Sequence, residues 1–384
     1  MKKIISGFLA AVMCLGLVGC AANPAKESGE TENGKAPEAS TKLEEAEASG
    51  QSGTSAKKAI LIVNGNLGDL GFFDSANRGM QRLKNELGVD IRVIETGDDE
   101  SKWEPALADA SDEDADWIIA VSPSMVEPIQ KLAPEYPEKK FILIDNQVDY
   151  DAADLSNVYC ATFKQNEGSF LAGVAAGLVA EQGGIIGFIG GMDIPPINDF
   201  LVGYIEGAQS TNPGVKVIST YTGDYYDPAK GKEHGIVQFN QGAEVLFAAA
   251  GPSGLGTIEA AVEQNKKIIG VDSDQSEAYL EKGDKDTASH IITSMIKNVG
   301  DTIFNSIAKD MKGNLAWGTS ESLGIVEGGV GLAKNEVYEG TFTVEQSAKI
   351  EEIQDKVASG EIKVSSAIGM STAELDKIRN SVKP

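Results

Sequence analysis

Short, unbroken apolar runs recur along this chain, and each is followed by a segment with helical spacing. The runs are AILIVN (Ala59–Asn64), DIRVIE (Asp90–Glu95), WIIAV (Trp117–Val121), KFILID (Lys140–Asp145), NVYCA (Asn157–Ala161), IIGFIG (Ile185–Gly190), VKVIST (Val215–Thr220), EVLFAAA (Glu244–Ala250) and KIIGVD (Lys267–Asp272). Most do not alternate apolar with polar residues. Continuous apolar runs mark strands covered on both faces, as in parallel sheets. The segments between them supply the covers. In DSANRGMQRLKNELG, Ala76, Met80, Leu83 and Leu87 share one helical face and Gly88 ends the helix. Repeated right-handed strand–helix–strand units give an α/β chain. Its 328 residues from Lys57 onward exceed one ordinary core, so two doubly wound, parallel-sheet lobes are expected.

The two lobes open alike. AILIVN leads into the glycine-rich loop LGDLGFFDSANRGM, with Phe72 and Phe73 at a helix mouth. IIGFIG leads into GMDIPPINDF, ending in Phe200. Ligands of open α/β sheets bind beyond the carboxyl ends of the strands. If the lobes face each other, Phe72 and Phe200 approach from opposite sides and suit a flat, apolar-faced ligand. Asp69 is assigned to its own loop, as an acceptor of nearby backbone N–H groups.

The first twenty residues, MKKIISGFLAAVMCLGLVGC, have a positive start, a short apolar stretch and a terminal LVGC. This has the form of a lipoprotein signal peptide cleaved before Cys20, with lipid placed on that residue. Residues 21–56 carry three Lys, seven Glu, small residues and almost nothing large and apolar. Such a segment cannot offset its ordering entropy and reads as a flexible tether. A coil of this length spans roughly 30–36 Å.

The net charge is −25; losing Lys2 and Lys3 with the leader makes it −27. A domain this acidic is a poor partner for nucleic acid. Once Cys14 and Cys20 are set aside, Cys160 is the one remaining cysteine and has no internal disulfide partner. It lies in an apolar run and reads as an inert buried thiol. His234 and His290 are the only histidines, too few for most acid–base or zinc chemistry. The glycines of GGIIGFIGGM bracket the strand instead of following it, unlike a dinucleotide fingerprint. Neither a nucleophile elbow nor a phosphate loop occurs. No cofactor and no metal are expected. The segment FTVEQSAKIEEIQDKVASGEIKV reads as an amphipathic helix and a final strand.

Several segments, in order, resemble the basic membrane protein family of substrate-binding lipoproteins of ABC transporters. LGDLGFFDSANRG is similar to the family's Gly-Asp-x-x-Phe-Asn-Asp loop. FKQNEGSFLAGVAAGLVA (Phe163–Ala180) resembles its Phe-x-x-x-x-Gly-x-x-Leu-Ala-Gly segment. IGFIGGMDIPPINDFLVGYIEGA resembles its Gly-Phe-x-Gly-Gly…Pro-x-x-x-Phe-x-x-Gly-Tyr segment. GAEVLFAAAGPSGLGTIEAA, IIGVDSDQ and TSMIKNVG follow in the family order. The resemblance spans Lys58 to Val382.

It implies a type I periplasmic-binding-protein clamshell with three hinge crossovers, near 161–163, 289–293 and 323–328. The lobes would then comprise residues 57–161 with 293–325, and 162–292 with 326–384. It implies a receptor, not an enzyme, that binds a nucleoside, expected to be a purine, and delivers it to a membrane permease. Phe72 and Phe200 match the two aromatics that sandwich the base, and Asp145 in LIDNQ matches an aspartate that contacts it. Asp272 and Lys297 match the aspartate and lysine that hold the ribose, with Lys297 read as an early helical residue, and Gly251 matches pocket backbone. The family usually carries Asn where this chain has Phe73, which leaves open which of the adjacent rings stacks. Register with the family motif favours Phe72 for the cleft and Phe73 for the interior. The protein is expected to be a monomer, lipid-anchored on the extracytoplasmic face of the cell membrane. Alternatives are a receptor for a sugar or other small polar metabolite, and a surface lipoprotein without a transport role. A nucleoside hydrolase would need clustered carboxylates with calcium spacing or a placed histidine, and neither is present.

Overall fold

A computed structural model describes residues 56–384. The leader, Cys20 and the tether as far as Ser55 lie outside the described residues. In chain order the first lobe holds β1 (Lys58–Val63), α1 (Phe72–Leu87), β2 (Asp90–Glu95), α2 (Trp103–Asp112), β3 (Trp117–Val121), α3 (Val126–Leu132), β4 (Lys140–Ile144) and β5 (Val158–Phe163). The chain crosses to the second lobe for α4 (Gln165–Val179), β6 (Ile185–Gly190), α5 (Pro195–Thr211), β7 (Lys216–Tyr221), α6 (Pro228–Asn240), β8 (Ala243–Ala249), α7 (Pro252–Glu263), β9 (Lys267–Asp272), α8 (Gln275–Glu281), α9 (Lys285–His290) and β10 (Ile291–Lys297). It returns for α10 (Val299–Met311) and β11 (Thr319–Leu323). A third crossing leads to β12 (Val330–Leu332), α11 (Glu336–Thr341), α12 (Val344–Ala358) and α13 (Thr372–Ser381).

The strand orders are β11-β5-β4-β3-β1-β2 and β12-β10-β9-β8-β6-β7. All pairings are parallel except that of β12 with β10. The apolar runs explain this. β3 is buried at every position, because both faces are covered. In β1, Leu61 and Val63 join one core with Met80 and Leu83 of α1 and Ile303 and Ile307 of α10. Ile60 and Ile62 face the opposite core, with Trp103, Leu107 and Ile129. Each such side chain taken out of water contributes about 1.5–3 kcal/mol. The edge strands β2 and β11 alternate with solvent instead.

Two close helix contacts set the frame. Gly203 and Gly207 of α5 lie on the backbone of Asn166 and Phe170 in α4, where a Cβ would collide with a carbonyl oxygen. Gly79 of α1 meets Gly300 of α10 in the same manner.

Three expectations need correction. The second crossover falls at Asn298, not within 289–293, because Ile291–Lys297 is a buried strand paired with β9 and β12. The returning segment of the first lobe thus starts near 298 instead of 293, and Lys297 ends a strand instead of opening a helix. Strand β5 runs on to Phe163, pairing with Leu323, so the first crossing comes at Lys164. The stretch Glu361–Val364 forms no strand; the chain there is irregular and leads into α13.

Candidate functional site

A cavity of about 140 Å³ lies between the sheets, and its walls are strand ends. From the first lobe come Asn64, Asp69, Phe72 and Phe73 after β1, Ser122–Ser124 after β3, and Asp145 after β4. From the second come Ile194, Pro196, Ile197 and Phe200 after β6, Tyr225 and Tyr226 after β7, and Ala249, Gly251 and Pro252 at the end of β8. Val271 and Asp272 of β9 and Lys297 of β10 complete it. All seven residues singled out in the sequence for a ligand role therefore line one cleft.

The β1–α1 loop is held by carboxylates. The N–H groups of Gly71, Phe73 and Asp74 donate to Asp69 at 3.1, 2.9 and 3.0 Å. Those of Gly68 and Leu70 donate to Asp74 at 2.8 and 3.0 Å. Burial pushes the Asp69 carboxyl above its usual range, and the three backbone bonds oppose that shift. The N–H groups of Phe73 and Asp74 in the first turn of α1 are thereby occupied. Phe73 is 7% exposed, packs with the core and covers Gly65, whereas Phe72 is half-buried. Their rings meet edge-on at 5.5 Å. Phe200 lies in the second turn of α5, not at its start, with its ring 6.2 Å from Phe247.

Lys297 sits at the centre. Its Nζ donates to Asp145 Oδ1 at 2.8 Å and lies 4.9 Å from the ring centre of Phe200, 5.5 Å from Phe163 and 5.7 Å from Phe72. An ammonium among ring faces gains from their quadrupoles, more so when desolvated. Asp272 shares this cation. Burial pushes its carboxyl up to about 7; Lys297 opposes the shift, while Asp145 and Asp69 add to it. Asp145 is thus bonded to the ammonium, and Asp272 lies within its electrostatic reach.

The backbone is unusual at the same places. Ser122, Asp145 and Asp272 have φ of 94°, 74° and 66°, and Gly251 has 54°. Left-handed conformations at non-glycine residues cost about 1–3 kcal/mol each and gather at ligand sites. Here they turn the chain sharply at the ends of β3, β4 and β9, which aims side chains into the gap. Two polar atoms of the wall, Asn64 Oδ1 and Ser122 Oγ, are buried without a hydrogen-bond partner. Across the mouth the Tyr226 hydroxyl donates to Asn64 O at 3.2 Å, and Ser273 Oγ donates to Gly71 O at 3.0 Å while accepting from Arg78.

Asn64, Ser122, Tyr225 and Tyr226 were not singled out from the sequence. The signal was present: SPS follows WIIAV and DYYD follows VKVIST, both at carboxyl ends of strands. Cys160 is fully buried in β5, away from the cleft. Asp272 does not cap the following helix; Asp274 does.

Two parallel-sheet lobes, three crossings and a cleft built from strand ends define a solute-binding protein of the periplasmic-binding-protein class. A family model described as "ABC transporter substrate-binding protein PnrA-like" matches residues 56–367, and the chain belongs to that family. It is a receptor, not an enzyme. Basic membrane protein D of Borreliella burgdorferi is 32% identical over 313 residues, covering 80% of this chain and 88% of that protein. An uncharacterized lipoprotein of Pyrococcus furiosus is 32% identical over 293 residues, covering 73% and 70%. A solved ABC-transporter solute-binding protein of Aeropyrum pernix superposes with a TM-score of 0.73 at 28% identity, covering 85% of this chain and 97% of that one. The family assigns a small-molecule ligand and a permease partner. No helix among the described residues is long and apolar enough to cross a membrane.

Proposed function

We propose that the ligand is a nucleoside, preferentially a purine nucleoside, held in this cleft and handed to the permease of an ABC importer. The observation that supports this reading is the grouping around Lys297: rings from both lobes at 4.9 and 5.7 Å from its ammonium, with Asp145 and Asp272 beside it. A base between Phe72 and Phe200 gains about 1–3 kcal/mol per stacked face. Asp145 accepts from the base edge. Asp272 accepts from a ribose hydroxyl and Lys297 donates to its neighbour, charge-assisted bonds about twice as strong as neutral ones. Both lobes must be close for these contacts to exist together, so the ligand favours the closed form by their sum.

The same features disfavour a nucleotide. The helix N-terminus that would cradle a phosphate is already bonded to Asp69, and the carboxylates repel a second anion. They also disfavour a plain sugar, which needs polar groups around its ring where this wall has Pro123, Ile194, Pro196 and Ile197. Anchoring by lipid on Cys20, at the extracytoplasmic face, completes the reading, with the domain acting as a monomer.

The test is mass spectrometry of ligand released by denaturing the purified protein, then calorimetry with inosine, adenosine, guanosine, their bases, ribose and the 5′-monophosphates. Binding of nucleosides well above bases, ribose and monophosphates is expected. Tight binding of a sugar alone would replace the reading. Cys20→Ala should move the protein from the membrane to the soluble fraction.

A further inference from the structure

The family match ends at residue 367, and α13 begins at Thr372. This helix buries only Leu375 along its own length, so it contributes little core. Yet its Arg379 is mostly buried, with a side chain 14% exposed. The guanidinium donates to Asp193 Oδ1 at 2.7 Å, to Asn198 Oδ1 at 2.8 Å and to the Tyr221 hydroxyl at 2.5 Å, and it lies over the Tyr221 ring. The three acceptors are themselves linked: Asn198 donates to Asp193, and Tyr221 donates to Asn198. Just upstream of the helix, Ser366 Oγ and Ala367 N–H donate to the buried Asp199 at 2.6 and 2.8 Å.

Residues 193, 198 and 199 interleave with Ile194, Ile197 and Phe200, the apolar wall of the cleft. The start of α5 lacks a side-chain cap of its own. Ile194, the N-cap of α5, contributes no side-chain capping bond, and the first two helical residues are prolines without N–H groups. We infer that Arg379 is a positioning residue for the ligand site: the C-terminal segment, from beyond the family match, fixes the β6–α5 loop so that Ile197 and Phe200 form a rigid wall. The three bonds converge on Nη2 while the flat guanidinium lies over the Tyr221 ring; a lysine keeps the charge but is shorter and lacks that flat face. The inference rests on the cleft being the ligand site.

The test uses full-length Arg379→Ala and Arg379→Lys. Hydrogen exchange in the ligand-free protein reads the positioning without any ligand: amides of 191–200 should exchange about tenfold faster in Arg379→Ala, those of α1 and β9 unchanged, with Arg379→Lys intermediate. Inosine, adenosine and guanosine affinity, measured well below the melting temperature, should fall about tenfold or more in Arg379→Ala. The double variant with Ile197→Ala should lose less than the two single losses combined, whereas the double with Asp272→Ala should be additive. Unchanged exchange in 191–200, wild-type affinity, or additivity with Ile197→Ala would each overturn the inference. If the wild-type protein binds none of these nucleosides, the nucleoside reading fails, and the exchange comparison alone decides the role of Arg379.

Discussion

The ammonium of Lys297 and the carboxylate of Asp145 bond at 2.8 Å across the gap between the sheets, one from the end of β10 and the other just past β4. The pair ties the lobes together and also lies in the cleft wall, so its loss should be felt in both roles. Lys297→Met leaves Asp145 and Asp272, which repel each other, without their cation. Breaking a buried pair in this way costs about 3–5 kcal/mol, which urea unfolding at pH 8 would show. The double variant Lys297→Met/Asp145→Asn should recover part of that loss. A single Lys297→Met variant as stable as the wild type would contradict the assigned electrostatics.

Phe72 and Phe73 should separate by function. Phe73 is packed on Gly65 and the core, so Phe73→Ala should lower stability by about 3–5 kcal/mol. Phe72 is half-buried on the cleft side, so Phe72→Ala should cost about 1–3 kcal/mol of nucleoside affinity with little loss of stability. Paired calorimetry and unfolding decide it. If Phe73→Ala alone abolishes binding in a folded protein, the roles are reversed.

Asp272 gives opposite pH slopes to stability and binding. Its carboxyl is raised to about 7 in the fold from an ordinary value of 3.8, so between these limits the folded state holds a proton that the unfolded chain has released. Its contribution to stability is therefore full below pH 4 and fades as pH rises through 7. Ligand contact needs the ionised acceptor, so affinity should rise from pH 6 to 8. Melting of the ligand-free protein, compared with Asp272→Asn, isolates the first slope, and calorimetry over the same range reads the second. A variant with the same pH dependence as the wild type in both would rule out Asp272 as the source.

Gly207→Ala is a small change with a large expected effect. The added methyl meets the Phe170 carbonyl in α4, and two helix backbones must part to admit it. Overpacking of this kind costs about 1–3 kcal/mol. Because α5 also carries Phe200, affinity should fall with stability, which denaturant melts and calorimetry on one preparation would show.

Strands β1 to β9 were all legible in the sequence, the partly exposed edge strands β2 and β7 included. The central strands β1, β3, β4, β8 and β9 read as apolar runs because almost every position along them is buried. β10 escaped because Thr293, Ser294 and Lys297 interrupt its apolar residues, although the Thr293 hydroxyl is satisfied by Ala333 O and Lys297 by Asp145. β11 escaped as a polar edge strand, TSESL. In the cleft, charged and aromatic residues at strand ends were visible. The place of Ser122 just after a strand was visible too, but its positive φ of 94° was not, since no residue type announces it. Arg379 was invisible for another reason: it acts on residues far away in sequence, and helical spacing alone gives it an ordinary exposed place.

The three crossings carry a consequence for the order in which the molecule is assembled as it is synthesised. The first lobe has α10 on one core and β11 at one sheet edge, and both are encoded after ten of the twelve strands. A nascent chain that has reached Lys297 has every strand of the second sheet but β12, while Met80 and Leu83 of the older lobe still lack Ile303 and Ile307. The half of the protein that is made first is therefore the half that is finished last but for the short closing strand and tail, and its exposed apolar face must be shielded until some hundred and forty further residues, those of the entire second sheet's βα run, have emerged.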